Sequence, residues 1–486
     1  MFRRSLVLVW VGTLLLSGLF LLGQESWPPE QECVDKDEDG YGNPANSLCT
    51  QPGFDCDDDS TDDPSICATC TCGETECAPC ARCIHAGAAE GSYGDPICSD
   101  ALDNDCDGIA DAPDDGCVKG IILEQELNIS DKGYTVLRVW GSHYEMGYAH
   151  ASLLGNSIVK GVAQFKQKIG ATNYSNFRNL MAVAVWQPPG IEDEFDGMVA
   201  SLAATHPSAR IDDLDLKVIN TVGDWGSACR SHICWGRYVE EPVRTLATRR
   251  MDYTSPVPLA NHHVLCAWDP EDGSPEWVSL GWPGFVTVVT GVNEFGSLAS
   301  LHDYNTYIKD LSPGRMSRMV AARHALTYPT DPDPSTHLTD VFTELQGYEI
   351  MTHGFVNYHT PEGFGGVMTA NPSAAGPDFY HLRMPQAAWH HGEAMITTNM
   401  WTDGTFTPQD EDFGADAYYD DESPKTLASH WDLLAVEQDD PLLSLHLFSV
   451  AYRGRGDMTL WADGRLDGVG RTPRLEWEWS DLFGAP

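Results

Sequence analysis

The placing of cysteine constrains this chain more than any other feature. Of 15 cysteines in 486 residues, twelve lie between Cys33 and Cys117, and only Cys229, Cys234 and Cys266 fall in the rest. The same stretch is acidic. Residues 28–118 hold 23 Asp and Glu against two Lys and Arg, a net of −21 within a whole-chain charge of −43. The chain therefore divides into a short loop-dominated module and a long remainder with room for at least one large core. Dense, even-numbered cysteines in a small acidic segment point to disulfides and an oxidising compartment. Such a charge repels nucleic acid and anionic membranes and attracts divalent cations.

Ahead of the module, Arg3 and Arg4 precede an apolar run from Leu6 to Leu22, followed by the polar Gln24–Glu32. This is the pattern of a signal peptide or signal anchor, so the protein is expected to be exported, with secreted, periplasmic and surface-anchored forms all open. Within the module, Asp35, Asp37 and Asp39 are spaced two apart and end in Gly40. Asp55, Asp57 and Asp59 form a second cluster, and Asp103, Asp105 and Asp107, ending in Gly108, a third. Alternating carboxylates converge on one cation, the glycine permits the sharp turn, and oxygen-only ligands suit Ca²⁺. The flanking helices and terminal Glu of an EF-hand are missing. The ordered clusters resemble a short secreted metal-binding module of bacterial surface proteins, which implies Ca²⁺ held in disulfide-braced loops. An insert from Cys67 to Cys83 departs from that pattern. Its Cys-x-x-Cys pairs suit zinc or, in an exported chain, disulfides.

From Gly120 the text becomes that of a globular domain. Tyr134–Trp140 alternates like a strand. Ser142 with Glu145 three residues later reads as a capping box, and His143–Gly170 as the helix it starts. Helical text continues through Asp193–Ala203 and Ile211–Val222 and stops just before Cys229. Short alternating runs then predict an antiparallel sheet: Arg244–Asp252, Asn261–Ala267, Trp277–Gly281, Phe285–Val289 and Ser297–His302. Thr339–Gln346 reads as a helix, and Gly366–Thr369, Phe379–Leu382 and Glu393–Thr397 as further strands.

The change of texture at Cys229 marks the candidate chemistry. If Cys234 and Cys266 pair, Cys229 is left as a free thiol. Arg249 and Asp252 follow at the end of a strand, where they would hold the nucleophile and its substrate. Asn293, in a hairpin turn, and Asn399, after another strand, offer amide donors for an oxyanion. On spacing alone, a buried structural cysteine competes with this reading.

Ordered motifs add to it. Cys229-Arg230-Ser231-His232-Ile233-Cys234-Trp235-Gly236 resembles the Cys-Ser-Ser-x-x-x-Trp-Gly signature of the autoproteolytic N-terminal-nucleophile enzymes related to isopenicillin N acyltransferase. Arg249-Arg250-Met251-Asp252, Trp282-Pro283-Gly284, Gly291-Val292-Asn293-Glu294-Phe295-Gly296 and Thr398-Asn399 resemble later motifs of that family. Gly141–Gly147 resembles the start of its pro-segment. The resemblance spans about Val136 to Asn399 and implies an α+β fold, a four-layer αββα sandwich. It further implies a pro-segment over 120–228 and a catalytic core over 229–486, with cleavage between Ala228 and Cys229. Cys229 is then the nucleophile, its freed amine the base, Asn293 and Asn399 the oxyanion donors, and Arg249 and Asp252 the orienting pair. The substrate is expected to be a small or lipid-like acyl amide or ester, with no catalytic cofactor. Arg230 and Arg250 stand where the family has Ser and Asn, which places two extra charges near the thiol in sequence. A phospholipase-B-like hydrolase and a calcium-dependent surface protein with a degenerate catalytic domain remain the alternatives.

Overall fold

Strand alternation sorts the apolar side chains into layers. In the computed structural model the chain runs β1 (Gly120–Leu127), β2 (Gly133–Gly141), α1 (His143–Ile169), α2 (Ala171–Met181), α3 (Gly190–Thr205) and α4 (Asp213–Ile219). Then come β3 (Ala228–Trp235), β4 (Thr245–Asp252), β5 (His262–Pro270), β6 (Trp277–Gly281), β7 (Thr290–Asn293) and β8 (Leu298–Asp303). Helices α5 (Arg318–Thr327) and α6 (Pro334–Leu345) precede β9 (Gly354–His359), β10 (Gly365–Ala370), β11 (Phe379–Arg383) and β12 (Ala394–Thr397). The chain closes with α7 (Phe413–Asp420), α8 (Leu427–Ala435), β13 (Ser444–Gly454), β14 (Asp457–Leu466), β15 (Gly470–Arg471), β16 (Leu475–Glu478) and α9 (Trp479–Phe483). The structure describes residues 118–127, 133–225, 228–252, 262–303, 309–329, 334–361, 365–370, 372, 378–383, 393–397, 413–435, 444–466, 470–471 and 474–484. The apolar leader, all nine candidate calcium-ligating aspartates, the Cys67–Cys83 insert and Asn399 lie outside the described residues. The described residues belong to one compact unit, residues 89–486.

Two sheets result. One has nine strands in the order β1-β2-β5-β6-β7-β8-β9-β10-β11, the other seven, with β12-β3-β4-β13-β14-β15 in line and β16 beside β14. All neighbours pair antiparallel except β2 and β5, which run parallel. On β5, Val264, Cys266 and Trp268 face a core shared with Met146, Ile158, Phe195 and Met319 of the helices. Leu265 and Ala267 face the other way, onto Ile233, Ala247, Phe448 and Val450 of the second sheet. Beyond that sheet, Cys234, Leu246 and Ala451 pack against Tyr419 of α7, and Leu447 against Trp431 and Leu434 of α8. The layers are thus helix, sheet, sheet, helix, the arrangement expected for the core, in a mixed α/β chain with nine α-helices among the described residues.

The first helix starts as its sequence predicts. Ser142 caps α1, with the capping box to Glu145 complete. Its Gly147 is required by a close crossing: a Cβ there would lie 2.0 Å from the Glu194 carbonyl oxygen of α3, and one on Gly197 2.0 Å from that of Tyr144. No described helix is long and apolar enough to cross a membrane.

Two expectations are corrected. Phe285–Val289 is not a strand. Asn220 takes its backbone instead, accepting from Val286 N (2.9 Å) and Thr287 N (3.1 Å) and donating to Gly284 O (2.8 Å), so those groups are unavailable to a ladder. Finally, Cys234 and Cys266 do not pair. They lie in different sheets, facing opposite outer helix layers, and all three described cysteines are buried and outside any disulfide.

Candidate functional site

Residue parity on β3 and β4 decides what meets between the sheets. These strands pair with Cys229 opposite Met251, Arg230 opposite Arg250 and Ser231 opposite Arg249. Odd-numbered side chains point toward the nine-stranded sheet, and even-numbered ones toward α7 and α8. Cys229, Ser231 and Arg249 therefore share the inner face. Arg230 and Arg250 are on the outer one, where Arg250 Nη1 donates to Leu434 O of α8 at 3.4 Å. The two unexpected arginines do not line the thiol's side of the sheet.

At the centre, Arg249 Nη2 donates to Cys229 Sγ at 3.0 Å and to Leu301 O of β8 at 2.8 Å, while Nη1 donates to His446 Nε2 at 2.9 Å. Arg249 is wholly buried and Cys229 only 2% exposed, so a fixed cation faces the sulfur with little water to screen it. An arginine only donates, so His446 Nε2 is the unprotonated nitrogen and Nδ1 carries the hydrogen. Burial, reinforced by the Arg249 charge, holds the His446 pKa well below the usual imidazole range. Thr290 Oγ1 of β7 lies 3.0 Å from the same nitrogen. Two residues along β3, opposite Arg249, Ser231 Oγ is 2.7 Å from His302 Nε2. Burial and then Arg249 lower the His302 pKa, opposed by its contact with the Cys229 backbone. Both imidazoles are thus neutral. His263 of β5, 1% exposed, has no hydrogen-bond partner on either ring nitrogen among the described residues and lies 5.9 Å from the His446 ring.

The other two cysteines have no such setting. Burial pushes the Cys234 thiol up to about 12, and the Cys266 thiol well above its ordinary value. Both face packed outer layers, where burial favours the neutral thiol. Cys229 stands apart by the face it occupies, not by the pairing of the others.

Of the remaining candidates, Asp252 ends β4 with its backbone opposite Ala228, and its side chain lies outside the description. Asn293 is not brought to the thiol. Its Oδ1 accepts from Phe295 N and Ser297 N, closing its own turn, and its Nδ2 donates to Leu326 O of α5 (2.9 Å). That turn docks near Tyr452, which pairs with Thr245, at the opposite end of β4 from the partner of Cys229. Sequence reading missed Ser231, Thr290, His302 and His446 as site residues. The available signal was polar residues at the same alternating positions as inward apolar ones, as Ser300 and His302 beside Leu298, and His446 beside Phe448 and Val450. Among the described residues no group of three His, Cys, Asp or Glu could hold a metal ion.

No protein-family model matches the chain, and no curated protein does. Among solved structures it is similar to the Caenorhabditis elegans N-acylethanolamine-hydrolyzing acid amidase ortholog, with a TM-score of 0.35 and 12% identity over 46% of this chain and 92% of that one.

Proposed function

We propose that this protein is an N-terminal-nucleophile cysteine enzyme that cleaves or transfers an acyl group held in amide linkage, and that it matures by cutting itself between Ala228 and Cys229. One observation carries the reading: a buried guanidinium 3.0 Å from the sulfur of a cysteine at the start of an inner strand. In the precursor, Cys229 Sγ attacks the carbonyl carbon of Ala228. The bond from that carbon to the Cys229 nitrogen breaks, and the nitrogen takes up the proton given by the thiol. Water then hydrolyses the resulting thioester, leaving a carboxylate on Ala228 and a free thiol and amine on Cys229.

In the mature enzyme the α-amine, with an ordinary pKa of about 8, serves as general base for its own thiol. Arg249 stabilises negative charge on the sulfur, and His446 and Leu301 O fix the guanidinium. The thiol attacks the substrate carbonyl, the amine of the substrate leaves with a proton, and the thioester passes its acyl group to water or to an acceptor amine.

The test is a denaturing gel with mass analysis of the full-length protein. Wild type should give two fragments, the second beginning at Cys229, and Cys229→Ala should give one intact chain without acyl-amide hydrolysis. An intact wild-type chain whose hydrolysis of N-acyl amides is untouched by Cys229→Ala would sink the reading.

A further inference from the structure

Before cleavage the Cys229 nitrogen is part of the bond to be broken, so the precursor has to place that bond through other groups. One candidate anchor lies just upstream. Asp224, in the 3-10 turn Val222–Trp225, is 1% exposed. Its carboxylate accepts from Arg318 N (3.2 Å), Arg318 Nε (3.3 Å), Thr352 Oγ1 (2.5 Å) and Ser317 Oγ. The Arg318 side chain, 0% exposed, extends from there to His302 O, donating from Nη1 at 2.8 Å. The His302 ring in turn meets Ser231 Oγ, two residues past Cys229. The series Asp224, Arg318, His302, Ser231 thus links the chain on either side of Ala228–Cys229. Space for the guanidinium exists because residue 354 is glycine: a Cβ there would lie 1.9 Å from Nη1.

We propose that Asp224 and Arg318 form a clamp that positions the Ala228–Cys229 bond for self-cleavage. The inference rests on the maturation reading above and adds the groups that make the precursor competent. Both are positioning residues, acting on the bond through the backbone and through His302. Fixing a short segment at both ends removes most of the conformations in which the Ala228 carbonyl lies away from the thiol. A buried ion pair adds little net stability over a packed apolar pair, so its distinctive contribution here is geometric.

The experiment follows self-cleavage of the folded full-length chain over time, with melting temperature measured on the same samples. Asp224→Asn is compared with Glu194→Gln. Glu194 forms an equally buried ion pair with Arg323 Nη2 (2.8 Å), on the same helix five residues beyond Arg318, and serves as the structural control. Both variants should melt at lower temperature, but only Asp224→Asn should slow cleavage, by more than about tenfold. If Asp224→Asn does not fold, Arg318→Lys, which keeps the charge but cannot span Asp224 and His302 O together, is read in the same way. Cleavage of the clamp variant at the wild-type rate, or equal slowing in the control, overturns the clamp. A wild-type chain that never cleaves overturns the maturation reading itself.

Discussion

Arg249 shows how much one side chain organises here. Its two terminal nitrogens tie Cys229 and His446 of one sheet to Leu301 of the other. Lysine carries the same charge as a single point and cannot hold three acceptors in a planar fork. Arg249→Lys is therefore expected to slow formation of the Cys229 fragment at least about tenfold, while Arg250→Lys, on the outer face, leaves it near wild type. Quantitative mass analysis of both variants checks this, and equal slowing in the two would remove the distinction between faces. The Cys229 and Arg249 pairing was legible in the sequence because both sit in short ordered motifs. His446 was not, since it lies 197 residues from Arg249 and only strand pairing brings it there. Asn293 shows the opposite case. Its motif was legible, but its amide closes a turn, and spacing does not tell a turn-closing amide from an oxyanion donor.

At the scale of elements, the expectations that held came from periodicity and capping. The Ser142 capping box and the long amphipathic run defined α1, and β6 was read residue for residue. The run Phe285–Val289 failed because its apolar, β-branched text describes burial, not pairing. What fixes it is a side chain 65 or more residues earlier in the chain, Asn220, which meets Gly284, Val286 and Thr287 from both ends of its amide. Asn220→Ala leaves several buried groups unpaired at once. Losing about 1 kcal/mol for each bond, with further cost for orphaned donors, predicts a destabilisation of about 3–5 kcal/mol. Urea denaturation of the variant measures it, and a loss below 1 kcal/mol would show that the segment is held by packing alone.

For the molecule as a whole, buried imidazoles set the response to acid. Burial pulls His150 and His263 down to about 3, and His302, His430 and His446 also well below their ordinary value. In the unfolded chain each titrates near 6.5. Below that pH the unfolded state binds protons that the folded state refuses, so stability is lost as pH falls from about 6.5 toward 3, by up to about 1.4 kcal/mol per pH unit for each histidine. His143 opposes this weakly: burial lowers its pKa, but Glu194 outweighs burial and raises it. The melting temperature should be nearly level above pH 7 and fall steeply between pH 6.5 and 4, and a flat profile across that range would contradict these assignments. The parallel pairing of β2 with β5 carries one more consequence. If the chain is cut at Ala228, the two pieces still share a sheet, yet no peptide bond joins them any longer. The mature protein would then be an assembly that its own pieces cannot readily rebuild once melted. Its durability would be governed by how slowly it comes apart and by how dilute the pieces become afterwards, no longer by a reversible folding equilibrium.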